Sequence, residues 1–191
     1  MNALLTLTGG APAAGIILAL ILGASVAALS FAPALLDKHL FRPYWITRRG
    51  DWFTWISSAF IHADYAHLLL NALTFWSFGF ALERTIGSPR FVALYVLALV
   101  VSELGTFYKH RNNPDYASLG ASGAVLAVLF ASIIYFPTQS LYILPIPFPI
   151  PAPLFAVAYL AYTIYAARRG VGRINHDAHL SGALAGVVFV L

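Results

Sequence analysis

The sequence predicts an all-α, polytopic membrane protein: one domain, residues 1–191, built as a bundle of six transmembrane helices. Composition is the first reason. Of 191 residues, 60% are hydrophobic and only 9% charged, against about 25% charged in soluble domains. The placement of the charges is the second. None lies between Met1 and Leu36, and none among the 51 residues from Ala117 to Ala167. Such stretches require a lipid bilayer around them. Cysteine is absent, which excludes thiolate and disulfide chemistry. The net charge of +4 comes from loops, without a basic patch interleaved with aromatics, so no nucleic-acid partner is expected.

Hydropathy places the six spans near residues 12–35, 66–82, 91–107, 119–136, 152–167 and 178–191. No Lys or Arg precedes the first apolar run, which is also too long for a cleaved signal peptide, so it is read as a span. Between the first two spans, Phe41, Tyr44, Trp45, Trp52 and Trp55 are mixed with Arg42, Arg48 and Arg49. That mixture belongs at the membrane surface. After the fourth span, Pro145 to Pro153 reads PIPFPIPAP, and proline at alternate positions forbids a helix there. An extended link that turns the chain back is expected instead. The sixth span is short, its pattern unfinished at Leu191.

Candidate chemistry begins at Gly120-Ala121-Ser122-Gly123, where a loop meets the fourth span. Glycine allows close approach of a backbone or substrate, and a helix start offers free N–H groups near the serine hydroxyl. Those are ingredients of an oxyanion hole. Taken alone, the motif reads more readily as small-residue helix packing. A base is offered by Ala178-His179-Leu180-Ser181-Gly182, with Gly186 beyond it. Positions 179, 182 and 186 share one helical face, so His179 points into a close helix contact. The fourth and sixth spans run in the same direction, which brings Ser122 and His179 to one end of the bundle. A serine hydroxyl needs such an imidazole to become a nucleophile. His67 and Asn71, four residues apart at the start of the second span, can both donate hydrogen bonds to a developing oxyanion. His62 is expected a turn or more nearer the surface. A metal centre on His62, His67 and His179 lacks a carboxylate and the H-E-x-x-H spacing, so no metal and no cofactor are assigned.

These motifs, G-A-S-G, H-x-x-x-x-H-x-x-x-N and A-H-x-x-G-x-x-x-G over residues 62 to 186, resemble the rhomboid intramembrane serine proteases. Glu83-Arg84-x-x-Gly87 and the Pro-rich stretch are also similar to bacterial members. The resemblance implies a Ser–His dyad, with Ser122 as nucleophile and His179 as base and then acid. It implies His67, Asn71 and the Ser122 backbone N–H as oxyanion donors. Transmembrane protein substrates would enter between the second and fifth spans, with His62, Gly120, Phe155 and Tyr159 on the substrate side. Phe155, Tyr159 and Tyr162 would form an aromatic gate opposed by Phe75, Trp76 and Phe78. Trp52-Phe53 departs from the Trp-Arg that many relatives carry.

Asp177 cannot face His179 from two residues away on a helix and is expected to cap the sixth span. Glu103 is read as the one carboxylate deep in the membrane, satisfied by a structural hydrogen bond. The alternative to an enzyme is a rhomboid-like protein that binds or escorts transmembrane clients. Nine of the eleven Lys and Arg lie at the end carrying the active residues, which by the positive-inside rule would face the cytoplasm. The resemblance implies instead a bacterial inner-membrane protein whose site opens to the extracytoplasmic side.

Overall fold

The structure is a computed structural model that describes residues 6–143, 146–169 and 174–191. Helix α1 (Pro12–Val26) opens with proline in its first turn, where the missing N–H costs nothing. It widens into a π-helical turn over Ala27–Phe31. Short interfacial helices follow: α2 (Ala34–His39), α3 (Pro43–Arg49) and α4 (Thr54–Ser57) with a 3-10 turn at Ser58–Phe60. The aromatic and arginine side chains expected at the membrane surface pair with one another here. Arg48 sits over Tyr44 and Arg49 over Trp45, with centroid distances of 3.7 and 3.8 Å. Trp55 packs on Phe41 and Phe107 and donates from Nε1 to the Val100 carbonyl.

The long helices come next. Helix α5 (Tyr65–Ile86) is capped by Asp64, whose side chain accepts from the His67 N–H, and α6 is Ser88–His110. Helix α7 (Ser122–Tyr135) is followed by a two-stranded antiparallel ribbon, β1 (Ser140–Leu141) with β2 (Ile150–Pro151). Helices α8 (Ala152–Arg169) and α9 (His176–Val190) complete the bundle. Three helical segments are long and apolar enough to cross a membrane: Pro12–Phe31, Tyr65–Ile86 and Ser88–His110. Helix α7 is apolar but shorter, and α8 and α9, which match the last two predicted spans, fall short of that standard among the described residues. From Ile146 the Pro-rich link is non-helical, bends at Pro147 and Phe148, and ends at Pro151. Pro153 lies in the first turn of α8, where proline is tolerated. Pro145, at the other end of the link, lies outside the described residues.

Helix α7 is the centre of the bundle, with every residue from Gly123 to Ile133 buried. A helix apolar all round is the one that neighbours surround. Its contact with α9 is set by glycine. A Cβ added at Gly182 would fall 2.0 Å from the Gly123 carbonyl oxygen, and one at Gly186 would fall 2.2 Å from that of Ala127. Without a hydrophobic drive between helices in lipid, this close backbone approach supplies the packing energy. The two contacts advance by four residues on both helices, so α7 and α9 run parallel, as the span count predicts.

A second device closes the opposite end. Glu83 of α5, 1% exposed, accepts from the Ala13 and Ala14 N–H groups at the start of α1 (3.0 and 2.6 Å) and from Ser88 Oγ (2.6 Å). A carboxylate there meets both the free N–H groups and the positive end of the helix dipole. Glu103 is therefore not the only deeply placed carboxylate.

Candidate active site

Ser122 opens α7, and His179 lies in the first turn of α9. The parallel seam between these helices begins at Gly123, whose missing Cβ faces the Ala178 carbonyl (3.2 Å) and Ser102 of α6. Ser122 precedes one side of that contact by a residue, and His179 follows Ala178 on the other. The seam thus sets the two residues assigned to the dyad at the starts of two packed helices, each next to a residue of the contact. The Ser122 hydroxyl makes no hydrogen bond among the described residues. His179 is held through one ring nitrogen: Nδ1 lies 2.9 Å from the Tyr159 hydroxyl of α8.

The loop feeding Ser122 is shaped from beneath by two histidines. Gly120 has φ +124°, a conformation side chains avoid. A Cβ there would also strike the His67 ring, 2.6 Å from Cε1 and 3.0 Å from Nε2. Glycine at position 120 is thus required twice over. His67 rests edge-on against His62, with ring centroids 4.9 Å apart, and lies within electrostatic reach of His179. Asn71, buried one turn below, spends one amide N–H on the His67 carbonyl (3.0 Å) and retains a second donor.

His62 corrects the sequence reading. It was expected nearer the surface, on the substrate side. It is fully buried, and both ring nitrogens are bonded within the protein. The Ala121 N–H donates to Nε2 (3.3 Å), so the ring proton is on Nδ1, which donates to Ser25 Oγ (3.0 Å). Ser25 in turn donates to the Phe60 carbonyl (3.1 Å). This one-directional chain needs a neutral imidazole. Burial, and secondarily the charge of His67, holds the His62 pKa well below its ordinary value against the opposing pull of Asp64. His62 therefore braces the residue before Ser122 and leaves no nitrogen for a ligand.

The aromatic cluster is also rearranged. Phe155 and Tyr159 share the α8 face and stack against each other (5.5 Å), with Tyr159 close to Phe130 of α7 (5.9 Å). Tyr162 is half exposed and meets His176. On α5, Phe75 is fully buried against Phe91 and Tyr95 of α6, and Trp76 points outward. Only Phe78 reaches toward α8, at the apolar cluster containing Phe155. Phe75 faces the wrong neighbour because Phe91 and Tyr95 of α6 enclose it.

Two carboxylates likewise differ from expectation. Asn175, not Asp177, caps α9, accepting from the Ala178 N–H (3.1 Å). Asp177 binds Lys109 Nζ at 2.8 Å. Glu103 is buried, yet its Oε2 has no hydrogen-bond partner among the described residues, so the expected structural bond is not made there. No cluster of metal-ligating side chains occurs among the described residues.

The model of the Rhomboid domain matches residues 49–191. The chain belongs to the rhomboid family. With its long apolar helices, that makes it an integral membrane protein. It is 31% identical to Rhomboid protein 1, mitochondrial, of Saccharomyces cerevisiae over 141 residues, 70% of this chain and 40% of that protein. It is 33% identical to the human Presenilin-associated rhomboid-like protein, mitochondrial, over 70% of this chain and 36% of that one. With Rhomboid protease GluP of Bacillus subtilis the identity is 36% over 83 residues, 44% of this chain and 16% of the other. The chain thus spans well under half the length of these relatives. Within this rhomboid, sequence reasoning missed the Tyr159 bond to His179, the capping by Glu83 and the bracing by His62. Each joins residues far apart in sequence, so no local pattern reports it.

Proposed function

We infer that this rhomboid is an intramembrane serine endopeptidase that cleaves transmembrane segments of other membrane proteins. The observation that supports this most is the parallel α7–α9 seam, whose glycine contact holds Ser122 and His179 at one level beside a helix start. In the reaction His179 takes the Ser122 proton as the hydroxyl attacks the scissile carbonyl, then returns a proton to the leaving amine. The tetrahedral oxyanion is met by the Ser122 N–H, the His67 ring and the free donor of Asn71. In the resting state Ser122 is not yet bonded to the base, as is common for catalytic hydrogen bonds before substrate arrives. Substrate passes between α5 and α8, where Phe78 and Phe155 form the thin apolar barrier.

A fluorophosphonate probe tests the reading. Covalent labelling that disappears in Ser122→Ala is expected; a folded protein that binds transmembrane clients but takes no label would replace the protease with an escort. We place the protein in a bacterial cell membrane with the site opening to the extracytoplasmic face, in the orientation that the family resemblance implies. The native chain has no cysteine, so one cysteine introduced beside Arg111 reports the side cleanly. Labelling only from the cytoplasm would reverse the orientation.

A further inference from the structure

Tyr159 is anchored more firmly than a barrier residue needs to be. Its ring is held between Phe130 and Phe155 and lies at 25° to the His179 imidazole, with the hydroxyl 2.9 Å from Nδ1. One turn further along α8, Thr163 is fully buried. Its Oγ1 lies beside the Tyr159 hydroxyl but has no hydrogen bond of ordinary geometry. A hydroxyl oxygen in that position can accept the phenol proton.

We propose that Tyr159 and Thr163 are a positioning pair that selects the tautomer in which His179 can act as a base. A neutral imidazole carries one ring proton. If the phenol donates to Nδ1, that proton sits on Nε2, and the nitrogen left for Ser122 cannot accept. If Nδ1 carries the proton, it donates to the Tyr159 oxygen, and Nε2 presents a lone pair. The second arrangement forces the phenol proton to find another acceptor, and Thr163 is the buried oxygen in reach. The other histidine nearby, His176, has its ring 6.0 Å from His179 and no hydrogen bond to it. The selecting pair thus stands on α8, while nucleophile and base stand on α7 and α9. Any displacement of α8 that breaks the Tyr159 contact releases the tautomer.

The proposal rests on the Ser122–His179 reading but predicts an order of effects that a merely structural role does not. Thr163→Val leaves Nδ1 as the only acceptor for the phenol and enforces the unproductive tautomer. Tyr159→Phe removes the competitor altogether. Expected is a fall in kcat of about 10-fold or more for Thr163→Val with KM nearly unchanged, since a wrongly held tautomer costs up to about 10⁴-fold in a serine protease triad. Tyr159→Phe should fall less, the double variant should match Tyr159→Phe rather than add to it, and Thr163→Ser should restore wild-type kcat. Nitrogen-15 NMR of the detergent-solubilised protein gives a readout independent of hydrolysis. The His179 ring proton should be on Nδ1 in the wild type and move to Nε2 in Thr163→Val. A wild-type spectrum with the proton already on Nε2, or a Thr163→Val variant with unchanged kcat and spectrum, overturns the proposal. Failure of the protease reading would show separately, as absent fluorophosphonate labelling.

Discussion

The two flanks of α7 are built on opposite principles. Toward α9 the backbones touch, with glycine at 123, 182 and 186 leaving no space for even one added carbon. Toward α8 the contact is made by bulky side chains, Phe130 against Tyr159 and Phe155 nearby, and α8 exposes Leu154, Val157, Tyr162 and Tyr165. A backbone seam has one register and resists displacement. A layer of aromatic rings can part and close again at the cost of dispersion contacts. The two residues of the proposed dyad occupy the rigid flank, and the proposed substrate path uses the yielding one.

The sharpest way to break this division is to remove the chemistry from the rigid side. Ser122→Ala or His179→Ala should abolish cleavage of a transmembrane substrate while the protein stays folded, because the covalent route itself is lost. Retained turnover in either variant would sink the mechanism. Next come the donors beneath the loop: His67→Ala and Asn71→Ala should each lower kcat by about 10²- to 10³-fold, with KM nearly unchanged. A change confined to KM would make them substrate holders. Gly182→Ala tests the seam. The added carbon meets the Gly123 carbonyl oxygen at 2.0 Å, so the helices must separate, at a cost of about 1–3 kcal/mol as for other overpacked cores. Thermal unfolding in detergent should fall together with activity, and an unchanged melting temperature would refute the seam.

The yielding flank is tested by Phe155→Ala, which should raise cleavage of transmembrane substrates severalfold without altering hydrolysis of a small soluble ester. Equal changes in both would locate the effect at the dyad. Tyr159 is unsuited to this experiment, since its removal strips His179 of a partner. The smallest effect belongs to Asp177→Asn. Its half-exposed bridge to Lys109 is worth at most about 1 kcal/mol, and turnover should be unaffected. Measured turnover a hundredfold lower would place Asp177 in the catalytic group.

Acid should act on the loop brace. The folded-state pKa of His62 is depressed by burial, so the unfolded chain binds the proton more readily. The stability contributed by neutral His62 is present above the ordinary histidine pKa, about 6.5, and is lost as pH falls below it. Unfolding midpoints followed from pH 8 to pH 5 should decline, and less steeply in His62→Gln.

Much of the site was legible because its residues are carried by local patterns. Glycine spacing on one helical face announced the α9 contact, and the offset of His67 from Asn71 announced a shared face. The remainder depended on partners. His62 looked like a surface histidine because nothing near it in sequence reveals Ser25 or the Ala121 N–H. Asp177 and Asn175 are both good capping residues two positions apart, and Lys109, from another helix, decided between them. Phe75 and Phe78 lie on one helix, but only the packing of α6 and α8 shows which ring faces which neighbour.

Phe41 and Ser118 exchange backbone hydrogen bonds, N–H to carbonyl in both directions, at 2.9 and 3.1 Å. This isolated bridge ties the interfacial segment after α1 to the loop that delivers Ser122. Two stretches made at very different moments of synthesis must meet before that loop has its shape, and closing so long an interval carries an entropic cost. On the proposed mechanism, the loop that presents Ser122 takes its shape only once both stretches are present, so a chain shortened before Ser118 would hold His67 and Asn71 but no hydroxyl with which to cut a neighbour.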